Sequence, residues 1–256
     1  MKKILLLSVS MLAFGLLTSC GGGAGKIVPN QMTMTSTAKG DVKINIGGEG
    51  DAVIDWGDGS EKETITLQRT WTSCKHTFAD DTERIIRITG ENITFFSCGE
   101  DLKLSTLDVS RILPLKSLSC NSNNLAVLDL SANAELTDIF CPYNQLTVFD
   151  LSKNTALARL ECFSNKLTAL DLSKNTELKK LDCSKNPLGS IDLSTNSKLE
   201  SIRCEDNALT AEALNALFKS LHGNEIEGKK IYIAKNPGTN DCDQSIATEK
   251  GWIVNK

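Results

Sequence analysis

Two kinds of reactive side chain recur at fixed intervals along this 256-residue chain, the cysteine thiol and the aspartate carboxylate. The repeated cysteines are Cys98, Cys120, Cys141, Cys162, Cys183 and Cys204. The repeated aspartates are Asp108, Asp129, Asp150, Asp171 and Asp192. A row of thiols can form disulfides or bind zinc, and a row of carboxylates can bind calcium. The elements that carry the two rows decide which of these chemistries the geometry allows.

Catalytic chemistry of other kinds has little support in the sequence. The two histidines, His76 and His222, stand in no motif that pairs them with a serine or cysteine nucleophile. The sequence contains neither a phosphate-binding glycine loop nor a histidine-rich metal motif. We therefore expect a protein that is not an enzyme and that needs no cofactor.

The elements that carry both rows are copies of a 21-residue unit. Its first phrase begins at Leu104, Leu125, Leu146, Leu167, Leu188 and Leu209. Its second phrase is Leu115-x-x-Leu118-x-Cys120-x-x-Asn123, and further copies begin at Leu136, Leu157, Leu178 and Leu199. A degenerate first copy reads Ile93-x-x-Phe96-x-Cys98. Such a period is typical of repeat proteins, whose units stack because one unit cannot bury its apolar face alone.

The second phrase resembles the leucine-rich repeat, L-x-x-L-x-L-x-x-N, with cysteine in the third apolar position. The resemblance covers residues 93–210 and implies a leucine-rich repeat solenoid of the α/β horseshoe class, mainly β in content. The alternation at Leu-x-Cys predicts a short strand with both side chains inward. The asparagine is expected to close the next turn, and the first phrase to return on the convex side as an extended segment without a helix.

The spacing favours buried free thiols over disulfides or a metal site. In-register residues on neighbouring parallel strands lie about 4.8 Å apart, whereas disulfide Cβ atoms lie about 3.8 Å apart. A straight row of ligands also cannot surround a metal tetrahedrally. We therefore predict inward thiols that behave as small apolar groups. A bond between Cys74 and Cys242, which lie outside the row, stays open.

The aspartate row supplies one carboxylate per repeat, whereas calcium takes about six to eight oxygen ligands. We therefore expect these aspartates to cap turns or to meet lysines such as Lys153 and Lys174, and we predict no metal site.

The N-terminus carries export signals. Lys2 and Lys3 precede a short apolar run over residues 4–17. The following Leu17-Thr18-Ser19-Cys20 resembles a bacterial lipobox. The resemblance implies that residues 1–19 are removed as a signal peptide, that Cys20 is lipidated and that residues 20–26 form a glycine-rich tether. The expected location is the bacterial cell envelope, at the outer membrane, on a side that the sequence leaves open.

Residues 27–92 lack the repeat and read as a small β unit. Strands are predicted at residues 42–46, 52–56, 65–67 and 85–88. The stretch VIDWGDGS, with KHTF and IIRITG after it, resembles the polycystic-kidney-disease (PKD) type of immunoglobulin-like domain. Such a unit would cover the open first coil of the solenoid.

Residues 211–256 read as an α/β C-terminal cap. A helix is predicted over 211–221, where apolar residues follow helical spacing. A strand and turn are predicted in KKIYIAKNPG, then a short helix near 245–250 and a strand at 252–254.

Five residues form the candidate binding site on the outward positions of the strands and the adjoining turn. They are Phe140, Tyr143, Arg159, Glu161 and Phe163. Exposed aromatic side chains beside arginine are typical of interface hot spots, although variable positions of a copied repeat also place aromatic residues on a surface by chance.

These features favour a membrane-anchored, non-enzymatic module that binds a protein through the concave repeat face. A carbohydrate-binding lipoprotein, with a glycan as ligand, and a structural spacer are the alternatives. Nucleic acid is excluded as a partner because 32 acidic residues outnumber 28 basic ones, for a net charge of −4.

Overall fold

The computed structural model describes residues 30–256 and forms a solenoid whose elements are mostly β-strands. The strands are β1 (Gln31–Ser36), β2 (Gly40–Asp55), β3 (Glu63–Thr66), β4 (Thr72–Phe78), β5 (Arg84–Cys98), β6 (Leu104–Asp108), β7 (Ser117–Ser119), β8 (Asp138–Phe140), β9 (Arg159–Glu161), β10 (Lys180–Asp182), β11 (Ser201–Arg203), β12 (Lys230–Tyr232) and β13 (Ile253–Asn255). The helices are α1 (Ala211–Ser220) and α2 (Ser245–Thr248), and a 3₁₀ turn spans Glu100–Leu102. The predicted leader, Cys20 and most of the tether lie outside the described residues.

The end of β5 and strands β7 to β13 stack in parallel and in register. The central residue of each short strand from β7 to β12, such as Leu160 of β9, faces inward and is almost fully buried. Burying one leucine or isoleucine contributes about 1.5–3 kcal/mol, and each coil adds such residues on both walls. The predicted inward strands of the repeat are confirmed.

The repeated asparagine closes the turn after each strand and ties neighbouring coils together, as predicted. Asn144 donates through Nδ2 to the carbonyl of Cys141 in its own coil at 3.2 Å and to that of Cys120 in the preceding coil at 2.9 Å. Its Oδ1 accepts from the backbone N–H of Leu125 at 3.1 Å. Its Nδ2 also donates to the carbonyl of Pro142 at 3.3 Å, so one buried side chain bonds to four backbone groups.

The return side has no α-helix between residues 103 and 210. It is extended in the first coil, where β6 lies, but in the later coils it is a series of turns rather than the extended segment predicted. Asp150 bends the chain because its Oδ1 accepts the N–H of Ser152 at 2.9 Å. Asn154 then donates to the carbonyls of Leu130 and Asn133 in the preceding coil, at 3.0 and 2.9 Å. These local acceptors take the place of a strand ladder.

The N-terminal unit contains two strands, β1 and β4, that its prediction lacks, and it joins two predicted strands into one. The predicted strands 42–46 and 52–56 belong to one strand, β2, which pairs with β3, β4 and β5. Register shifts between Gly47 and Gly48 and between Glu49 and Ala52 bend β2 without ending it. The glycines permit a bulge within a continuous strand, so the two predicted ranges form one element.

The N-terminal unit closes the first coil on both walls. The end of β5 pairs with β7 and begins the parallel stack, while β1 pairs antiparallel with β6 on the return wall. Strand β5 runs without a break across residues 92 and 93, so the unit and the first repeat share one strand.

The C-terminal cap contains the predicted elements. Thr210 caps α1, whose Leu214, Leu217 and Phe218 are buried against the core. Strands β12 and β13 continue the parallel stack beyond the last cysteine repeat. No helix within residues 30–256 is long and apolar enough to cross a membrane.

Candidate functional site

The parallel strands present one continuous outward face, here called the outer strand face. Because the strands are in register, outward side chains form columns with neighbours about 4.8 Å apart. The column at the last strand position contains Ser119, Phe140, Glu161, Asp182, Arg203 and Tyr232. The sequence placed the five candidate residues on this face, and the structure brings them together on β8, β9 and the turns that follow.

Phe140 and Arg159 form the first contact of the candidate site. The guanidinium carbon of Arg159 lies 5.5 Å from the centroid of the Phe140 ring. Its Nε lies 3.4 Å from Oδ1 of Asp138, the in-register neighbour of Arg159. A cation above an aromatic ring contributes about 0.5–1 kcal/mol at an exposed site, and the ion pair fixes the direction of the guanidinium. Arg159 is exposed, whereas Phe140 is half-buried.

Tyr143 and Phe163 form the second contact. Their rings meet edge to face with centroids 5.1 Å apart. The N–H of Tyr143 also donates to the carbonyl of Phe163 at 3.1 Å. Tyr143 has a φ of 55°, and the same turn position in the next coil, Ser164, has 54°. The repeat therefore sets the backbone, and this backbone holds a tyrosine that is 51% exposed on the rim of the outer strand face.

Glu161 lies in the same column, between Phe140 of β8 and the acidic Asp182 of β10. Burial raises the pKa of its carboxyl, and the charge of Asp182 on β10 raises this pKa further. Arg159, Lys180 and Arg203 act in the opposite direction and only partly offset these effects. The carboxylate therefore stays incompletely compensated in the free protein, and a cationic group of a partner would stabilise it.

A second aromatic–arginine contact was missed by the sequence analysis. The guanidinium carbon of Arg203 lies 4.8 Å from the centroid of the Tyr232 ring, on neighbouring strands β11 and β12. Arg203 also pairs with Glu205 at 2.7 Å and with Asp182 at 3.6 Å. Helix α1 interrupts the 21-residue period before β12, which hid Tyr232. The phrase Ile231-x-Ile233-x-x-Asn236 was the available signal, since it repeats the strand and its asparagine.

The thiol row is buried and reduced, as predicted. All six cysteines of the row are free and fully buried. Burial raises the pKa of Cys120 to about 12, so its thiol stays protonated at neutral pH. Cys74 and Cys242 are also buried and free, which answers the question of a bond between them.

The aspartate row caps turns, as predicted. Each of the five accepts the N–H of the serine two residues later at 2.9 Å. Within the described residues, no group of three or more histidine, cysteine or acidic side chains is placed to hold a metal ion.

The two histidines have structural contacts. His76 stacks on Trp56 with centroids 4.7 Å apart, and its Nε2 lies 2.7 Å from Oδ2 of Asp58 in the glycine-rich turn. His222 lies with its Nε2 2.8 Å from the carbonyl of Leu199 and contacts Trp252 edge to face. These contacts hold a loop and the C-terminal cap in place.

Comparison with solved structures places the repeats among known folds. The functional domain of InlJ from Listeria monocytogenes, described as including a cysteine ladder, superposes with a TM-score of 0.50 at 32% identity, covering 61% of this chain and 33% of that one. The fold is a leucine-rich repeat solenoid. An internalin, InlF, from the same species gives 0.43 at 20% identity (58% and 49% covered), and a leucine-rich repeat protein from Leptospira interrogans gives 0.46 at 24% (53% and 36%).

This chain spans between a third and a half of the length of these three solved structures. No protein-family model matches it, and no curated protein does either.

Proposed function

We propose that this protein is a non-enzymatic module that binds another protein through the outer strand face. The observation that carries the proposal is the arrangement around β8 and β9, where two aromatic contacts and an undercompensated carboxylate share one surface. Each aromatic side chain is held by a neighbour before any partner arrives. Binding through such anchors therefore costs little additional side-chain entropy.

The solenoid geometry supports this assignment. Repeat proteins present extended surfaces on which variable outward positions select the partner while inward positions keep the core. Here the inward positions keep leucine, isoleucine and cysteine, whereas the outward column changes from serine through phenylalanine and glutamate to arginine and tyrosine. The likeness to InlJ, another leucine-rich repeat protein, is consistent with a binding scaffold.

Photo-cross-linking in intact cells tests whether a partner protein contacts the outer strand face. Lys180 is exposed at the first position of β10, in register with Arg159 of β9. It is replaced by p-benzoylphenylalanine. The same residue placed at Lys174, exposed on the return side, is the matched control. A discrete protein adduct from position 180 that is absent from position 174 supports the proposal. Equal adducts from both positions, or adducts from position 174 alone, contradict it.

We propose in addition that the module is an exported lipoprotein, anchored through Cys20 in the cell envelope at the outer membrane. Support comes from the lipobox-like Leu17-Thr18-Ser19-Cys20 and the glycine-rich residues after it. Cys20→Ala should remove fatty-acid labelling and release the protein from membranes or leave it unprocessed. Equal labelling of wild type and variant would contradict the anchor without bearing on the binding face.

A further inference from the structure

Trp71 differs from the other two tryptophans of the chain. Trp56 and Trp252 are each 2% exposed, and their indole N–H groups donate to Glu63 and to the carbonyl of His222. Trp71 is 48% exposed, and within the described residues its indole N–H has no acceptor. A large aromatic side chain that is neither packed in the core nor hydrogen-bonded is available to a ligand.

Trp71 stands beside a cavity at the junction of the N-terminal unit and the first repeat. Its ring lies 5.6 Å from that of Phe95, centroid to centroid, at an angle of 57°. Phe95 lines a cavity of about 500 Å³, within the usual range of small-molecule sites. The other lining residues are Gly48, Glu49, Arg69, Asn92, Thr94 and Lys116.

The bulge in β2 builds the floor of this cavity. Gly47 lies opposite Phe95, and a Cβ added to Gly47 would lie 2.7 Å from the carbonyl oxygen of Thr70. Gly48 has a φ of 155°, and a Cβ there would lie 1.9 Å from the carbonyl oxygen of Asn92. Only glycine allows these backbones to approach so closely, and bulges of this kind are frequent next to functional sites.

The lining chemistry limits the class of ligand. Apart from the glycine floor and Phe95, every lining side chain is polar or charged, and none is aliphatic. A lipid or an amphipathic helix would need aliphatic walls. A sugar ring has an apolar face of C–H groups that fits an aromatic ring, and hydroxyl groups that bond to amide, carboxylate and guanidinium side chains. The tilted pair of rings with Asn92 and Glu49 matches that combination.

The charges of the cavity select an acidic sugar. Arg69 is paired with Glu49, with its Nε 2.9 Å from Oε1. The ammonium group of Lys116 is exposed and has no partner within the described residues. The cavity is therefore net positive on a chain whose net charge is −4. A carboxylate is the complementary ligand group.

From these observations we propose that the Trp71–Phe95 cavity binds a saccharide that carries carboxylate groups. Trp71 and Phe95 stack on the sugar rings, and Lys116 pairs with the carboxylate. Asn92 donates to and accepts from hydroxyl groups, whereas the Glu49 carboxylate accepts from them. Phe95 and Arg159 are separated by three strand spacings, about 14 Å along the stack. This cavity is therefore separate from the candidate protein-binding site around β8 and β9. The inference is independent of the proposed function.

The probes are oligosaccharides of galacturonate, of mannuronate and guluronate, and of hyaluronan, with neutral dextran oligomers as comparison. Trp71 serves as the reporter, since the other two tryptophans are buried. A saturable blue shift of the emission is expected with at least one acidic series and none with dextran. Raising the salt concentration should weaken the binding, because the proposed ion pair between Lys116 and the ligand carboxylate is exposed to solvent.

Two variants test the residues. Trp71→Ala should weaken binding of the responding oligosaccharide about tenfold or more, measured by calorimetry because the reporter is lost. Lys116→Gln should abolish the preference for acidic oligosaccharides over dextran. Trp71 fluorescence measures the binding of this variant. Val148→Ala and Lys174→Gln, exposed changes on the return side, are the matched controls and should bind as wild type does.

Three results would contradict the proposal or one of its parts. Failure of every acidic oligosaccharide to bind at about 1 mM, the weak end of specific binding, would overturn the proposal. Equal binding of dextran would overturn the role of charge, and unchanged binding by a folded Trp71→Ala protein would overturn the site.

Discussion

The guanidinium carbon of Arg159 lies 5.5 Å from the centroid of the Phe140 ring, on the neighbouring strand of the same face. The contact exists because parallel strands in register bring residues from successive repeats side by side. Both residues face away from the core, whose inward positions on these strands are occupied by buried Ile139 and Leu160. The repeat therefore fixes the geometry of a surface whose residue types it does not specify.

The thiol row should contribute to stability as a set of small buried apolar groups. Cys162→Ser should lower the free energy of unfolding by about 1–3 kcal/mol, because a hydroxyl is buried without an assured partner. Denaturant unfolding measures this change, and Cys162→Ala, which buries no hydroxyl, is the comparison. If the serine variant is as stable as wild type, the environment of residue 162 is not apolar and free of water.

The same row predicts the pattern of thiol labelling. Folded protein should react slowly at all six positions, because burial excludes the reagent and raises the pKa of thiols such as Cys120. After denaturation each should react as a free thiol. Peptide-resolved mass spectrometry that found disulfides between neighbouring repeats would contradict this prediction.

Much of the solenoid could be predicted, because the period of 21 residues indicates which side chains face the core from the same side of each coil. Inward Cys162 and turn-closing Asn165 follow from the repeat alone. The contact of Trp71 with Phe95 could not be predicted, because Trp71 lies in a polar loop outside the repeat and meets Phe95 only through the fold of β2. Tyr232 was missed for a related reason, since the helix inserted before β12 breaks the period.

The turn asparagine should be among the most costly residues to remove. Asn165 donates to the carbonyls of Cys141 and Cys162, each at 3.0 Å, and accepts from the N–H of Leu146 at 3.0 Å. Asn165→Ala leaves these buried groups unpaired, at about 1–3 kcal/mol for each group that water cannot reach. We expect a loss of at least about 2 kcal/mol in denaturant unfolding.

Asn124, in the corresponding turn two repeats earlier, supplies a control for that measurement. Its side chain is exposed, and within the described residues it makes no side-chain hydrogen bond. Asn124→Ala should change stability by less than about 0.5 kcal/mol. Equal effects of the two substitutions would mean that the turn amide does not hold the coils together.

Glu161 should make stability depend on pH in a defined direction. Its pKa is raised above its ordinary value of 4.5, chiefly by burial and then by Asp182. The native state therefore binds this proton more tightly than the unfolded state, and its contribution to stability falls as the pH rises above 4.5. Glu161→Gln cannot titrate, so the variant should gain stability relative to wild type between about pH 4.5 and neutrality.

Carbon-13 NMR of the labelled carboxyl reports the Glu161 pKa directly. Asp182→Asn should lower this pKa, because it removes the acidic neighbour. A Glu161 pKa at or below its ordinary value would contradict the electrostatic description of the face.

The affinity of the cross-linked partner for the double variant Phe140→Ala/Phe163→Ala tests the central claim most directly. Truncating true anchors costs about 2 kcal/mol or more, so we expect binding to weaken at least about tenfold in calorimetry, while the folded structure survives. Lys153→Ala/Lys174→Ala, on the exposed return side, should bind as wild type does. If the partner binds the aromatic double variant as tightly as it binds wild type, the outer strand face is not the binding site.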